Sequence, residues 1–158
     1  MAEPKWLDEE EANAWRSLQM MNLRLSAALG RDLAAQSNLS QQDYLVLVVL
    51  TDRPDGTLRI FELGQELGWE KSRISHQVSR MVARGLLEKF VCSSDRRGQF
   101  VRVTPRGRAV IAAAAPSHVA AVRRFFVDRL SRDQLGHLAS VAQVVLEALG
   151  EPGAACAD

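Results

Sequence analysis

The sequence predicts a mainly α-helical chain with a small antiparallel β-sheet in its middle. Apolar residues recur at three- and four-residue spacing near both ends, which is typical of amphipathic helices. Two short strand-like segments follow residue 85, and helix-capping signals separate the helical segments from one another. At 158 residues the chain is long enough to form one domain with a substantial apolar core.

The first third of the chain predicts two helices. The first spans Glu9–Ala35. Its apolar positions follow a helical repeat: Trp15, Leu18, Met21, Leu25 and Leu29. Ser40, followed by Asp43, predicts an N-cap with an acid in the first turn, so a second helix is expected over Gln41–Thr51.

The central part predicts two further short helices. A small edge strand is expected at Leu58–Ile60, followed by a helix at Phe61–Leu67 that ends at Gly68. A second helix, Lys71–Arg84, should stop at Gly85, because glycine readily adopts the left-handed conformation after a helix. Two short helices joined by a glycine turn are typical of a helix-turn-helix.

A β-hairpin is expected next. The strands Leu86–Cys92 and Phe100–Thr104 should pair, with the polar and charged segment Ser93–Gly98 forming the tip between them. A hairpin directly after a helix-turn-helix forms the wing of a winged helix.

The last third predicts two long helices. A threonine–proline pair starts the first, Pro105–Arg129, and Pro116 should kink it by removing one backbone hydrogen bond. Ser131 forms a capping box with the glutamine three residues later and opens the last helix, Gln134–Leu149. Its apolar positions are Leu135, Leu138, Val141, Val145 and Leu149. The fold class is therefore a winged helix-turn-helix flanked by long terminal helices.

The charge is unevenly distributed, although the formal net charge is only +1. Between Arg53 and Arg108 there are 12 basic and 6 acidic residues, whereas the rest of the chain has 8 basic and 13 acidic residues. A locally basic surface is what attracts phosphates. The central winged helix is therefore expected to face nucleic acid.

The helix Lys71–Arg84 carries the residue types that contact duplex DNA, and it contains no acid. The residues expected to face outward and reach the major groove are Lys71, Ser72, Arg73, Ser75, His76, Gln77 and Arg80. Arg73 can bind guanine through two hydrogen bonds, Gln77 can bind adenine, and His76 can donate to a base acceptor. An arginine of the hairpin tip, Asp95-Arg96-Arg97, can enter the minor groove.

Several motifs resemble the MarR family (multiple antibiotic resistance regulators). The segments that carry the resemblance are Leu63–Gly68, Ser72–Ser75, Arg84–Leu87, Asp95–Arg97 and Val103–Gly107. The resemblance covers nearly the whole chain, since the flanking helices match the family's dimerisation region. This chain departs from the family pattern at Val103, where leucine is usual, and at Glu70, where a serine or threonine cap is usual.

The resemblance implies a homodimer on palindromic DNA operators, usually a repressor that a small ligand releases. It implies that Asp95 orients Arg97, that Arg97 enters the minor groove, and that Lys71 to Gln77 read the major groove. The expected organisation is a dimerisation helix at 1–38, the DNA-binding winged helix at 39–108, dimerisation helices at 109–150 and a disordered tail at 151–158.

Other functions have less support in the sequence. Histidines 76, 118 and 137 fall on three different helices without the spacing of metal ligands, so we expect neither an enzyme nor a bound metal or cofactor. A winged helix that serves as a protein-interaction module remains an alternative. So does a redox- or metal-responsive regulator that acts through Cys92 or the histidines.

A small lipophilic or aromatic ligand is expected where the terminal helices meet the winged helix. The candidate residues are Trp15, Met20 and Tyr44, with the segment before Pro116; an ordinary core or interface role for the aromatic residues is an equal alternative. The low cysteine content and the acidic N-terminus predict a cytoplasmic protein without a secretory signal or a membrane partner.

Overall fold

The computed structural model describes the backbone of residues 4–92 and 95–150, and the side chains of all of these except 92 and 95–98. The predicted tail at 151–158 lies outside the described residues. The six helices of the described part are α1 (Glu9–Ser37), α2 (Gln41–Thr51), α3 (Ile60–Glu66), α4 (Lys71–Ala83), α5 (Pro105–Phe125) and α6 (Arg132–Leu149). The strands are β1 (Thr57–Arg59), β2 (Leu87–Cys92) and β3 (Asp95–Val103), and a 3₁₀ turn, Val127–Arg129, precedes α6.

Local capping signals fix most of the helix boundaries. Ser40 caps α2 and exchanges two hydrogen bonds with Asp43 in a capping box, and Ser131 forms the same motif with Gln134 at the start of α6. The hydroxyl of Thr104 accepts a hydrogen bond from the amide of Gly107 at the start of α5. The predictions for these three helix starts are therefore confirmed to within two residues.

The three strands form one antiparallel sheet in the order β1-β3-β2. Leu87 pairs with Val103, and Cys92 pairs with Asp95, with a register shift between Val91 and Cys92. The prediction that the polar tip extends to residue 98 is wrong for the backbone, because β3 begins at Asp95. Antiparallel strands accept polar residues on a solvated face, so the polarity of this segment did not mark the end of the strand.

The apolar core lies inside the central part of the protein and is formed mainly by residues of the winged helix. It joins residues of every central element, including Leu47 of α2, Leu63 of α3, Met81 of α4 and Val101 of β3, each with no exposed surface. Ile111 and Ala114 of α5 complete it. The core therefore holds α4 against α2, α3 and the sheet.

The terminal helices have much less buried surface than the central part. No residue of α6 is buried within the protomer. Large apolar side chains are exposed along these helices: Trp15, Leu18, Met20, Met21, Leu23, Val119, Phe125, Val141, Val144, Val145, Leu146 and Leu149.

The segment Pro105–Arg129 is long and apolar enough to cross a membrane by length and composition alone. That is weak evidence, because a helix that packs in a protein core passes the same test. Here Gly107, Ile111, Ala114 and Ala121 are buried within the protomer. Pro116 lies inside α5, which continues past it to Phe125. The helix therefore ends before the predicted Arg129, because residues Val127–Arg129 form a 3₁₀ turn.

Candidate nucleic-acid interface

A glycine turn places α4 against α3. Gly68 takes a positive φ of 62°, and the amide of Trp69 donates a 2.8 Å hydrogen bond to the carbonyl of Gly64. A Cβ on Gly64 would lie 3.2 Å from Cγ2 of Ile74 and 3.3 Å from the Trp69 carbonyl oxygen. The absence of a side chain at Gly64 lets α4 pack closely on α3, and Gly68 allows the left-handed turn between them, in the arrangement of a helix-turn-helix.

One face of α4 is buried and the opposite face is polar and exposed. Ile74, Val78 and Met81 point into the core. Of the residues predicted to contact DNA, Lys71, Ser72, Arg73, His76 and Arg80 are exposed, and Ser75 is half-buried. The structure therefore brings six of the seven predicted major-groove residues to one accessible surface.

Gln77 is the exception, because the prediction that it faces outward is wrong. Only 2% of its surface is exposed, and its Nε2 donates a 2.6 Å hydrogen bond to Oδ1 of Asp43. Its position three residues after Ile74 and four before Met81 puts it on the buried stripe of α4. That spacing indicated a buried position, whereas the prediction placed Gln77 outward because its side chain is polar.

Asp43 is a buried carboxylate with several hydrogen-bond donors around it. Burial favours the neutral acid, but the Ser40 amide, the Arg84 guanidinium and the Ser40 hydroxyl favour the charged form and hold the pKa of Asp43 below its ordinary value. Nη1 of Arg84 lies 2.7 Å from Oδ2, and Nη2 donates to the carbonyl of Asn38. The sequence indicated Asp43 as an acid in the first turn of α2 but not these contacts between distant segments.

Arg73 lies over the indole ring of Trp69, with its guanidinium carbon 4.4 Å from the ring centroid. Both residues are on the helix-turn-helix, four positions apart, and Trp69 is half-buried. A cation–π contact of this kind restricts the arginine side chain without removing its hydrogen-bond donors. Trp69 therefore belongs with the candidate interface, although it was not among the residues predicted for it.

The wing is stiffened by aromatic and charged contacts at its base. The rings of Phe90 and Phe100 stack with centroids 5.7 Å apart, and Arg102 lies over Phe90 while its Nε donates to Glu88. Lys89 also bonds to the hydroxyl of Ser79 on α4. The strands carry Asp95, Arg96 and Arg97 at the far end of this ribbon. The side chains of those three residues, and that of Cys92, lie outside the described residues.

The three predicted ligand residues do not form one pocket within the protomer. Trp15 and Met20 are exposed on α1, whereas Tyr44 packs against the core and stacks on His118. At about 1.5 Å per residue, Trp15 lies roughly 27 Å along α1 from Leu33, the buried residue near the end of that helix. The segment before Pro116 does line a groove of about 450 Å³, formed by Val110, Ala113, Ala114 and the α1 end at 34–38.

Within the part of the chain that the structure describes, no three His, Cys, Asp or Glu side chains are grouped so that they could hold a metal ion. His118 has Tyr44 as its ring neighbour, and burial lowers the pKa of His118, partly offset by the charge of Asp32. The described geometry thus offers a cationic surface on α4 as the candidate site.

Comparison with known proteins agrees with the resemblance seen in the sequence. A family model described as MarR family matches residues 37–98. The crystal structure of Sco3205, a MarR family transcriptional regulator from Streptomyces coelicolor, in complex with DNA, is 35% identical with a TM-score of 0.88. The match covers 95% of this chain and 97% of that one. A search of curated proteins gives no match.

Two other solved structures extend the comparison. AbsC, a MarR family transcriptional regulator from the same organism, is 35% identical with a TM-score of 0.85, over 92% of this chain and 98% of that one. A mutant of MarR from E. coli, complexed with operator DNA, is 20% identical with a TM-score of 0.78 over 90% and 99%, which shows a shared fold. With 35% identity over almost the full length of two solved members, this chain belongs to the MarR family of winged-helix, DNA-binding transcriptional regulators.

Proposed function

We propose that this protein is a homodimeric repressor that binds palindromic operators in the cytoplasm and is released by a small, largely apolar ligand. The observation that carries this proposal is the polar face of α4, where exposed Lys71, Arg73 and Arg80 occur with no acid between residues 71 and 84. Such a face is suited to the phosphates and base edges of the major groove.

The roles on α4 differ by side-chain chemistry. Arg73 is the proposed guanine reader, since a guanidinium can bond both acceptors of guanine in the major groove. Hydrogen bonds to bases or sugar–phosphate oxygens would come from Ser72, Ser75 and His76. Phosphates would be bound by Lys71 and Arg80. Gln77 is left out of the contact surface because it is buried.

The proposed wing contact is the one that the family resemblance implies. Asp95 would orient Arg97 by a charge-assisted hydrogen bond, and Arg97 would enter the minor groove beside the site that α4 reads. Arg96 would add a phosphate contact. The stacked Phe90 and Phe100 support this role, because they rigidify the ribbon that carries the tip.

The proposed dimer interface is formed by the terminal helices. Most of the stability of a helix in a protein comes from packing its apolar face, and α6 leaves an apolar stripe exposed along its second half. A second copy that packs against α6 and α1 would cover this surface. Two-fold symmetry would then place the two α4 helices about one turn of DNA, roughly 34–36 Å, apart.

The proposed ligand would act on the packing between the terminal helices and the winged helix. The groove between the end of α1 and α5 lies at that junction. A ligand that binds one arrangement better than another shifts the population toward it, and by no more than its differential affinity. Operator release in a screen of phenolic and other lipophilic compounds would support this part of the proposal. Release by oxidants or metal ions alone would contradict it and would indicate a redox- or metal-responsive regulator instead.

Sequencing of genomic DNA fragments bound by the purified protein tests the proposal as a whole. We expect enrichment of inverted repeats whose half-site centres are about 10 base pairs apart. Binding should also weaken steeply as salt increases. A protein-interaction module would show neither enrichment nor a salt-dependent affinity for duplex DNA, and that result would overturn the proposal.

A further inference from the structure

A buried polar network connects the start of α2 to the DNA-facing side of α4. Asp43 is 3% exposed and Gln77 is 2% exposed, so both are part of the protein interior. Oδ1 of Asp43 accepts from Nε2 of Gln77 at 2.6 Å, and Oδ2 accepts from Nη1 of Arg84 at 2.7 Å. The Ser40 amide also donates to Oδ2, at 2.9 Å.

The chemistry of this network determines which way the Gln77 amide points. An ionised carboxylate can only accept hydrogen bonds, so Asp43 requires the NH₂ group of Gln77 on its side. The amide oxygen of Gln77 is then directed away from Asp43, and it accepts a hydrogen bond from Nη2 of Arg80. Arg80 is exposed on the polar face of α4.

We propose that Asp43 is a positioning residue for DNA binding, which acts through the Gln77 amide to hold the guanidinium of Arg80 in place before DNA arrives. This inference rests on the proposed function and extends it to two residues that do not touch DNA. An arginine that is already held in the free protein loses less conformational freedom on binding a phosphate. The network thus increases affinity without a direct contact of its own.

A double-mutant cycle on DNA affinity tests the inference. Asp43→Asn allows the Gln77 amide to turn over, because an asparagine amide both donates and accepts. We expect this variant to bind operator DNA several-fold more weakly and to lose up to about 0.9 of the salt slope, the share of one phosphate contact. In an Arg80→Ala background the same substitution should change neither quantity, since the group it positions is gone.

Gln77→Met provides a second route that preserves the core and the Asp43–Arg84 ion pair. It removes the hydrogen bond to Arg80 while keeping a side chain of similar length, and it should reproduce the loss seen for Asp43→Asn. The matched control is Asp128→Asn, which breaks an exposed ion pair to Arg123 in the proposed dimerisation region. The effect of Asp128→Asn on DNA affinity should be the same in the wild-type and the Arg80→Ala backgrounds.

The possible outcomes are distinguishable. If Asp43→Asn and Arg80→Ala each weaken binding and their fold-changes multiply, Asp43 has only a structural role and the inference is wrong. If the wild-type protein shows no preference for any duplex sequence, it is the proposed function that fails. Circular dichroism of each variant establishes that the folded protein is the species titrated.

Discussion

The imidazole of His118 on α5 lies against the phenol ring of Tyr44 on α2, with ring centroids 4.2 Å apart and the planes inclined by 41°. Within the described residues, Nδ1 of His118 is a buried atom without a hydrogen-bond partner. Burial lowers the pKa of His118, and the nearby carboxylate of Asp32 only partly offsets this. The contact joins a helix of the winged helix to a helix of the proposed dimerisation region.

Because the pKa of His118 is lower in the folded state than in the unfolded chain, protonation favours unfolding. The stability that this residue contributes is complete above the unfolded value of about 6.5 and is lost as the pH falls through the folded pKa. We therefore expect the urea midpoint of the wild type to fall more steeply below about pH 6.5 than that of His118→Phe, which keeps a ring against Tyr44. Parallel curves for the two proteins across this pH range would contradict this explanation.

Gly107 marks a close approach between the start of α5 and Leu86, the residue before β2. A Cβ at this position would collide with the carbonyl oxygen of Leu86 and lie 2.9 Å from Cγ2 of Val103. We expect Gly107→Ala to destabilise the fold by about 1–3 kcal/mol, as overpacking does. Gly136→Ala in α6 is the matched control, because its Cβ would have no neighbour within 4 Å. Alanine also favours a helix over glycine by up to about 1 kcal/mol. Equal effects in thermal unfolding would show that the close contact is not important.

Arg73 and Lys71 should respond differently to substitution. Arg73→Ala should cost about 1–3 kcal/mol on the selected operator and relax the base preference at one position in each half-site. Lys71→Ala should weaken binding to all sequences alike and flatten the salt slope. Trp69→Leu should produce a weaker form of the Arg73 effect, because it removes the ring beneath the guanidinium. Titration of operator and random duplexes side by side separates these patterns, and a uniform loss for all three variants would refute the assignment.

Arg97→Ala tests the wing. We expect a severe loss of operator binding with an unchanged dimer and unfolding temperature, since a charged side chain at a hairpin tip is expected to contribute little to stability. Arg102→Ala, at the base of the wing, is a useful comparison because it removes the ion pair to Glu88 without touching the tip. Operator affinity of Arg97→Ala equal to that of the wild type at physiological salt would exclude the minor-groove role.

Val145→Asp tests the proposed dimer. Val145 is exposed in the protomer and lies on the apolar stripe of α6, so a carboxylate there would have to be buried between two copies. We expect sedimentation velocity at micromolar concentration to show a dimer for the wild type and a monomer for this variant. Ser140→Asp places the same charge at another exposed position of α6, outside the apolar stripe, and should leave the dimer intact. A wild-type monomer would remove the basis for palindromic recognition.

The elements of the fold were predictable where the determining signal is local. The capping boxes at Ser40 and Ser131 each lie within four residues, so α2 was predicted at its observed bounds and the start of α6 to within two residues. The end of α1 was less predictable. The helix ends at Ser37, and Asn38 after it adopts a left-handed φ of 55° and accepts a hydrogen bond on its carbonyl from Arg84, 46 residues away.

The site was predictable in type but not in detail. The exposed cations of α4 follow from helical periodicity, and six of the seven predicted contact residues are accessible. Gln77 was misplaced because its partner, Asp43, is 34 residues distant and belongs to another helix. Pairings between distant segments depend on how the helices pack, which a single sequence does not specify.

The most direct test of the central claim is the ratio of dissociation constants for random duplex DNA and for the enriched inverted repeat, measured with the dimer at physiological salt. A sequence-specific regulator should prefer the repeat by about 10³-fold or more. The preference should be smaller for a single half-site than for the full repeat, because only one α4 helix can occupy a half-site. A ratio near one, with equal binding to half-site and full site, would contradict the account.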